Sequence, residues 1–159
     1  MKQTLCTVWL CLFIGIISAY SQTEYRTEVF TLHPDSTPVT LYEDNDLIKK
    51  RIDIYPDPFE SNVGLIIETD LQSEDVLRVR MGDNIFWIPL GKVGVNTRNY
   101  DRQLLCLYAE PNRNSPVVLE THQPQTVAAY GLKEGWLYVE AVDDNGKKAR
   151  GWLAPDMQC

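Results

Sequence analysis

The chain has 159 residues with 15 basic and 22 acidic side chains, a net charge of −7, and this length suffices for one medium domain or two small ones. An acidic surface repels phosphate backbones and anionic lipid headgroups, which argues against binding to nucleic acid or to a membrane surface. The sequence has two histidines, too few for a histidine-rich metal site, and we expect no metal and no cofactor.

Residues 1–21 have the layout of a secretory signal peptide. A short basic start precedes an apolar run over 5–17, which is shorter than the roughly 20 residues that span a bilayer. Small residues, Ala19 and Ser21, stand three and one positions before Gln22, so we predict cleavage directly before Gln22. The mature protein would then be periplasmic or secreted, with no membrane insertion. It would keep 14 basic and 22 acidic residues, a net charge of −8.

The rest of the chain is predicted to be all-β. Apolar residues come in short alternating or continuous runs between clusters of Pro, Gly, Asn and Asp, and no run has the period of an amphipathic helix. The predicted strands are 25–32, 39–42, 64–69, 76–81, 85–90, 104–108, 117–119, 126–131, 136–142 and 149–154. Residues 82–84 and 143–146 read as hairpin turns, because Asn and Gly tolerate positive φ.

Three short patterns recur in the same order along the chain. Residues 40–43 (Thr-Leu-Tyr-Glu) match 106–109 (Cys-Leu-Tyr-Ala), 76–79 match 136–139, and 86–89 match 151–154, at offsets of 66, 60 and 65. Near-constant offsets favour two related β units in tandem, joined around 96–101. A single larger β-sandwich is the alternative, since it would also accommodate ten strands.

Residues 47–63 have no counterpart in the second unit. Pro56 and Pro58 flank Asp57 and prevent a continuous central strand there, so we predict an inserted loop. Such a loop is either functional or a decorated surface loop, and the sequence does not decide between them.

Residues 104–158 resemble the bacterial SH3-like (SH3b) family. The resemblance rests on Leu-Tyr at 107–108 with a polar turn, Gly-Trp at 135–136 opening an alternating strand, a Gly-bearing hairpin, and a second Gly-Trp at 151–152. It implies two tandem small β-barrels, a divergent copy over 22–100 and a closer match over 101–159. The first unit lacks the first Trp and carries Phe86 at the place of the second Gly.

Alternation in the strand 136–142 separates two kinds of side chain. One face is aliphatic and predicts the core, which leaves Trp136 and Tyr138 on the opposite face. These aromatics either pack under the loop after Tyr108 or line a groove with it for an extended or Pro-containing peptide. Trp152 is a further candidate contact, although either Trp152 or its neighbour Leu153 must face the core.

The resemblance also bears on the partner and on the cysteines. Proteins of this family commonly hold a cell-wall peptide or a protein partner beside an enzyme domain, and no enzyme domain is recognisable in this chain. Because the first and last strands of an SH3-like barrel are neighbours, an exported chain would be able to join Cys106 to Cys159 by a disulfide. Two buried free thiols are the alternative.

The sequence offers weak support for catalysis. Cys106 lies in an apolar strand rather than at an exposed helix start, and His33 and His122 are the only available bases. We therefore expect a non-enzymatic protein that holds a peptide, cell-wall fragment or partner protein. The alternatives are a structural subunit of an envelope assembly, docked through residues 55–59, and a small cell-wall hydrolase with a cleft at one of the histidines.

Overall fold

The computed structural model describes residues 26–56, 64–67 and 75–159, and these residues form an all-β fold, as predicted. Their strands are β1 (Thr27–Thr31), β2 (Val39–Tyr42), β3 (Lys50–Ile54), β4 (Leu65–Ile67), β5 (Val76–Met81), β6 (Asn84–Pro89), β7 (Val93–Asn96), β8 (Leu105–Tyr108), β9 (Val117–Thr121), β10 (Thr126–Lys133), β11 (Trp136–Val142) and β12 (Lys148–Leu153). The helical elements in these ranges are two short 3₁₀ turns, Tyr100–Arg102 and Pro155–Met157.

The predicted signal peptide lies outside the described residues, so its cleavage stays a prediction. Within the described ranges, no helix has the length and apolar character needed to cross a membrane.

The ten predicted strands all correspond to observed ones, and 39–42, 76–81 and 136–142 have the predicted bounds. Two further strands were missed. β3 has the sequence Lys-Arg-Ile-Asp-Ile and lies in the segment that the two prolines after it placed in a predicted loop, and β7 is a four-residue strand that contains Gly94. Both form because a neighbouring strand supplies hydrogen-bond partners that short-range patterns do not reveal.

The strands make one open antiparallel sheet in the order β3-β2-β6-β5-β4-β1-β7-β10-β11-β12-β8-β9. The hydrogen-bonded ladders of the described residues do not join β3 to β9, and so do not close the sheet into a ring. Edge strands lack a partner on one side, which explains how the charged β3 is tolerated there and why Pro56 follows it. The prediction that 47–63 is a loop without counterpart was therefore wrong for β3, while 57–63 lie outside the described residues.

The order of strands in the second half of the sheet mirrors the order in the first half. Reading from each edge inwards, the first half runs β3-β2-β6-β5-β4-β1 and the second runs β9-β8-β12-β11-β10-β7, so each strand has a counterpart six elements later. The two innermost counterparts, β1 and β7, pair antiparallel through Phe30 with Gly94 and Thr31 with Val93. We call this ladder the central seam.

A shared irregularity supports the equivalence of the two halves. The β2–β3 ladder shifts register between Leu41 and Tyr42, and the β8–β9 ladder shifts between Leu107 and Tyr108. These are counterpart positions in the two halves. A bulge repeated at one place indicates that the two halves use the same local geometry.

One hydrophobic core runs through both halves, and its members alternate along each strand with outward-facing residues. Leu41 and Leu65 in the first half and Leu107, Leu137 and Leu153 in the second are fully buried. Burial of each such leucine side chain contributes about 2 kcal/mol to folding.

Candidate functional site

The alternation predicted for β11 is present. Leu137, Val139 and Ala141 are buried, whereas Trp136 and Tyr138 are partly exposed on the other face. The aliphatic face therefore forms the core, and the aromatic face is available to solvent or to a ligand.

Register brings three of the four predicted contact residues into one row across the sheet. Tyr138 on β11 lies beside Trp152 on β12, and Trp152 lies beside Tyr108 on β8. The choice between Trp152 and Leu153 is also settled: Leu153 is fully buried, and Trp152 is partly exposed on the outer face.

The four rings form an aromatic cluster, Tyr108, Trp136, Tyr138 and Trp152. The ring centroids of Tyr108 and Trp136 are 5.6 Å apart with planes at 87°, an edge-to-face contact. Those of Tyr138 and Trp152 are 5.2 Å apart with planes at 49°. Pairs of this geometry contribute about 1 kcal/mol each beyond the area they bury. The rings hold one another in place while each keeps part of its surface exposed.

A shallow groove of about 570 Å³ lies beside the cluster. It is lined by Glu110, Pro111, Asn112, Lys133, Glu134 and Trp152. One wall is the loop between β8 and β9 and the other is the turn between β10 and β11, so two loops flank the aromatic floor.

Local hydrogen bonds hold both walls. In the β8–β9 loop, the amide of Ala109 donates to the carbonyl of Pro116 at 2.8 Å, and the amide of Glu110 donates to Ser115 Oγ at 3.1 Å. The β10–β11 turn places Glu134 and Gly135 at φ of 50° and 82°, a conformation that glycine adopts without strain. The Gly of the first Gly-Trp pair therefore shapes the turn that presents Trp136.

The predicted disulfide is not present in the structure, in which Cys106 and Cys159 are both free thiols. β8 and β12 are neighbours, as expected, but the chain turns away after β12. Cys159 then exchanges two 2.9 Å backbone hydrogen bonds with Asn96 on β7, which three strands separate from β8. Its Sγ accepts a hydrogen bond from the Tyr100 hydroxyl at 3.1 Å.

The environment of Cys106 does not activate its thiol. Burial raises the pKa of Cys106, and the nearby Glu120 carboxylate raises it further, so the neutral thiol is favoured. Thiol nucleophiles in enzymes usually have a lowered pKa.

Each histidine ring has a hydrogen-bonding partner, His33 within its own loop and His122 in the β11–β12 hairpin. His33 Nδ1 donates to the carbonyl of Thr37 at 2.8 Å, and Nε2 lies 2.9 Å from the Thr31 hydroxyl. His122 Nδ1 lies 2.9 Å from Asp144 Oδ2. In the described ranges no group of three or more His, Cys, Asp or Glu side chains is arranged to hold a metal ion.

Asp144 ties the β11–β12 hairpin to the end of β9. It accepts hydrogen bonds from the Thr121 hydroxyl at 2.8 Å and the His122 amide at 3.0 Å, in addition to its ring contact. The His122 ring, the His122 amide and the Thr121 hydroxyl together lower the pKa of Asp144 to about 2. The sequence predicted only a hairpin turn over 143–146 and gave no sign of this contact.

The first half has only part of the aromatic cluster. Tyr42 pairs with Trp87 across β2 and β6, as Tyr108 pairs with Trp152 in the second half. Arg78, which also pairs with Trp87, occupies the place of Tyr138, and the preceding buried Val76 occupies that of Trp136.

Comparison with known proteins identifies no family. No protein-family model and no curated protein matches the chain. Among solved structures it is similar to NlpC2 from Trichomonas vaginalis, with 15% identity and a TM-score of 0.33 over 86% of this chain and 48% of that chain. It is also similar to NlpC1 from the same organism, with 17% identity and a TM-score of 0.33 over 89% and 48%. The chain spans about half the length of these proteins.

Proposed function

We propose that this protein is an exported, non-enzymatic binding module, in which the aromatic cluster holds a peptide, a cell-wall peptide fragment or a partner protein. The observation that carries the proposal is the position of four aromatic rings on the outer face of β11, β12 and β8, beside a groove. Partly exposed Trp and Tyr rings are rigid, amphipathic contacts and are frequent at binding surfaces.

The geometry of the rings favours a peptide ligand. The rings of Tyr108 and Trp136, in edge-to-face contact on the outer face, offer apolar surface against which a proline or an aliphatic side chain would pack. The groove beside Trp152 lies between two loops, and an extended peptide segment is the ligand that we propose for it.

We also propose that the fold consists of two tandem SH3-like barrels, over residues 22–100 and 101–159. The repeated strand order and the bulge at counterpart positions support two related units, although the repeat assigns β7 to the second unit, before the boundary at 100. The ligand-binding role belongs in this proposal to the second barrel, and the first serves as its support.

Capture of ligands tests the binding role. The purified protein is immobilised and exposed to purified cell-wall fragments and to synthetic cell-wall stem peptides. The site variant is Trp136→Ala with Tyr138→Ala. The matched control is Tyr42→Ala with Trp87→Ala, which also removes one Trp and one Tyr but from the first half.

We expect the site variant to lose capture by at least about tenfold, since each buried aromatic contact contributes on the order of 1 kcal/mol or more, while the control retains it. Circular dichroism and thermal unfolding establish that both variants are folded. Equal loss in both variants, or retained capture in the folded site variant, would show that the aromatic cluster is packing rather than a binding surface. A folded wild-type protein that captures neither ligand would instead favour a structural subunit.

A further inference from the structure

The strand at one end of the sheet, β9, exposes apolar side chains at an unpaired edge. β9 pairs with β8 on one side, and the described part of the chain provides no strand on the other. Val117 and Val118 are 43% and 42% exposed. An unpaired edge with exposed β-branched residues is a template for strand pairing.

A groove of about 530 Å³ follows this edge. It is lined on one side by Val117, Val118, Leu119 and Glu120, and on the other by Asp143, Asn145, Lys147 and Ala149. Alternate side chains of a strand point to opposite faces, so a groove lined by four consecutive residues runs along the edge of β9.

The opposite wall of the groove is formed by the β11–β12 hairpin. Its residues, 143, 145, 147 and 149, belong to the turn of the β11–β12 hairpin and to the start of β12. A strand placed between β9 and this wall would pair its main chain with β9 and pack alternate side chains against the hairpin. This is the arrangement by which sheets accept an extended peptide.

Contacts at both ends of β9 fix the groove before any ligand binds. Asp144 of the hairpin holds Thr121 and His122 at one end. At the other end Val118 packs over Gly151, where an added Cβ would lie 2.6 Å from Val118 Cγ2. A preformed groove lowers the ordering cost of binding.

The charges of the groove favour a cationic ligand. Glu120 forms no ion pair with any described residue, and its carboxylate is close enough to raise the pKa of Cys106. The Asp143 carboxylate accepts hydrogen bonds from the backbone amides of Asn145 and Lys147. With Glu120, Asp143 and Lys147 together, the lining carries a net charge of −1.

The opposite edge of the sheet provides a comparison. On β3, the counterpart of β9, Lys50 pairs with Asp53, and Arg51 pairs with Glu43 at 3.1 Å. Paired charges on an edge strand discourage strand addition. The two edges of one sheet are therefore built in opposite ways.

We propose that β9 is a strand-addition site for an extended, cationic peptide with alternating apolar residues, distinct from the aromatic cluster. Its main chain pairs with the free edge of β9, and a Lys or Arg side chain lies against Glu120. A second copy of this chain is a poorer occupant, because its own β9 carries Glu120 and no basic residue. Self-pairing would bring acidic strands together.

Fluorescence anisotropy with a labelled Lys-Val alternating hexapeptide tests the site. The protein variant is Glu120→Lys, and Asp83→Lys in the exposed β5–β6 turn makes the same change in net charge away from the groove. We expect Glu120→Lys to weaken binding about tenfold and Asp83→Lys to leave it within about twofold. A Glu-Val hexapeptide should show the reverse preference and bind the Glu120→Lys protein more tightly.

A third peptide separates strand pairing from simple charge attraction. N-methylation of alternate backbone amides in the Lys-Val hexapeptide removes the hydrogen-bond donors along one of its edges. We expect this methylated peptide to bind at least about tenfold more weakly. Equal binding of the methylated peptide, equal effects of the two charge variants, or no binding of the unmodified peptide would overturn the proposal. Retained peptide binding in the Trp136→Ala, Tyr138→Ala protein separates this site from the aromatic cluster. A dimer in sedimentation experiments whose β9 amides are protected without peptide would identify a second copy as the occupant instead.

Discussion

The two halves of the sheet share their strand order and their bulge but differ on the outer face. Tyr42 and Trp87 match Tyr108 and Trp152, whereas Val76 and Arg78 stand where the second half has Trp136 and Tyr138. The shared framework depends on buried positions, most of which are apolar in both halves. Outer positions contribute less to folding, so one half is able to carry an aromatic cluster that the other has only in part.

The two halves also differ in how one pair of counterpart core positions is filled. Phe86 pairs with Val79 in the first half, and Gly151 pairs with Val139 at the counterpart position in the second. Phe86 is buried and fills its own space, while the side chain of Val118 covers Gly151. The space above Gly151 is thus filled by a side chain from β9, two positions away in the sheet, rather than by a side chain of its own.

The largest expected effect is at the central seam, which joins the two halves. A Cβ at Gly94 would lie 2.3 Å from the Val127 carbonyl oxygen and 3.0 Å from Leu32 Cδ1. Because the first of these atoms is backbone in a neighbouring strand, Gly94→Ala should lower the free energy of unfolding by about 3 kcal/mol. Urea denaturation measures the change. Gly64→Ala is the matched control, since its Cβ would meet no atom within 4 Å, and a comparable loss there would contradict the argument.

A smaller effect is expected where the halves differ in core packing. A Cβ at Gly151 would meet Val118 Cγ2 at 2.6 Å and Leu107 Cβ at 2.9 Å. Gly151→Ala should lower the free energy of unfolding by about 2 kcal/mol. Val118→Ala removes the nearer atom, so the double variant should be more stable than the sum of the single effects predicts. Strict additivity in this cycle would show that Val118 does not fill the space above Gly151.

The smallest effect concerns the hairpin contact of Asp144. Its folded-state pKa of about 2 lies below the ordinary value of 3.8. The stabilisation is therefore complete above about pH 4 and is lost as pH falls through about 2. Calorimetry should show a higher Tm for wild type than for Asp144→Asn near neutral pH, with the difference narrowing below about pH 4. A difference that stays constant down to about pH 2 would mean that the carboxylate charge has no part in the contact.

The sequence predicted much of the second half because its patterns are local. The alternation in β11 depends only on the side-chain period of a strand, so the aromatic and aliphatic faces were assigned correctly. The sequence did not decide whether Trp152 lies on the outer face, because Trp152 and Leu153 are neighbours in a strand and point to opposite faces. Only packing decides which of the two is buried. The groove walls at Glu110 and Glu134 were also missed, since they meet only after two loops fold over the same strands.

The cysteines and the edge strands show where local reasoning fails. The disulfide prediction relied on β8 and β12 being neighbours in the sheet. They are neighbours, but the last six residues carry Cys159 back to β7. Pro56 and Pro58 predicted a loop over 47–63, yet β3 forms directly before them, because an edge position accepts a charged strand that a proline follows.

By itself, the sequence determined the all-β class, most strands and the internal repeat, because these follow from periodicity and turn residues within short windows. The tertiary structure alone decided the central seam, the clustering of the four rings, the free state of the thiols and the groove beside β9. Each of these depends on which distant strands become neighbours. That choice is made by burial of the whole core rather than by any local segment.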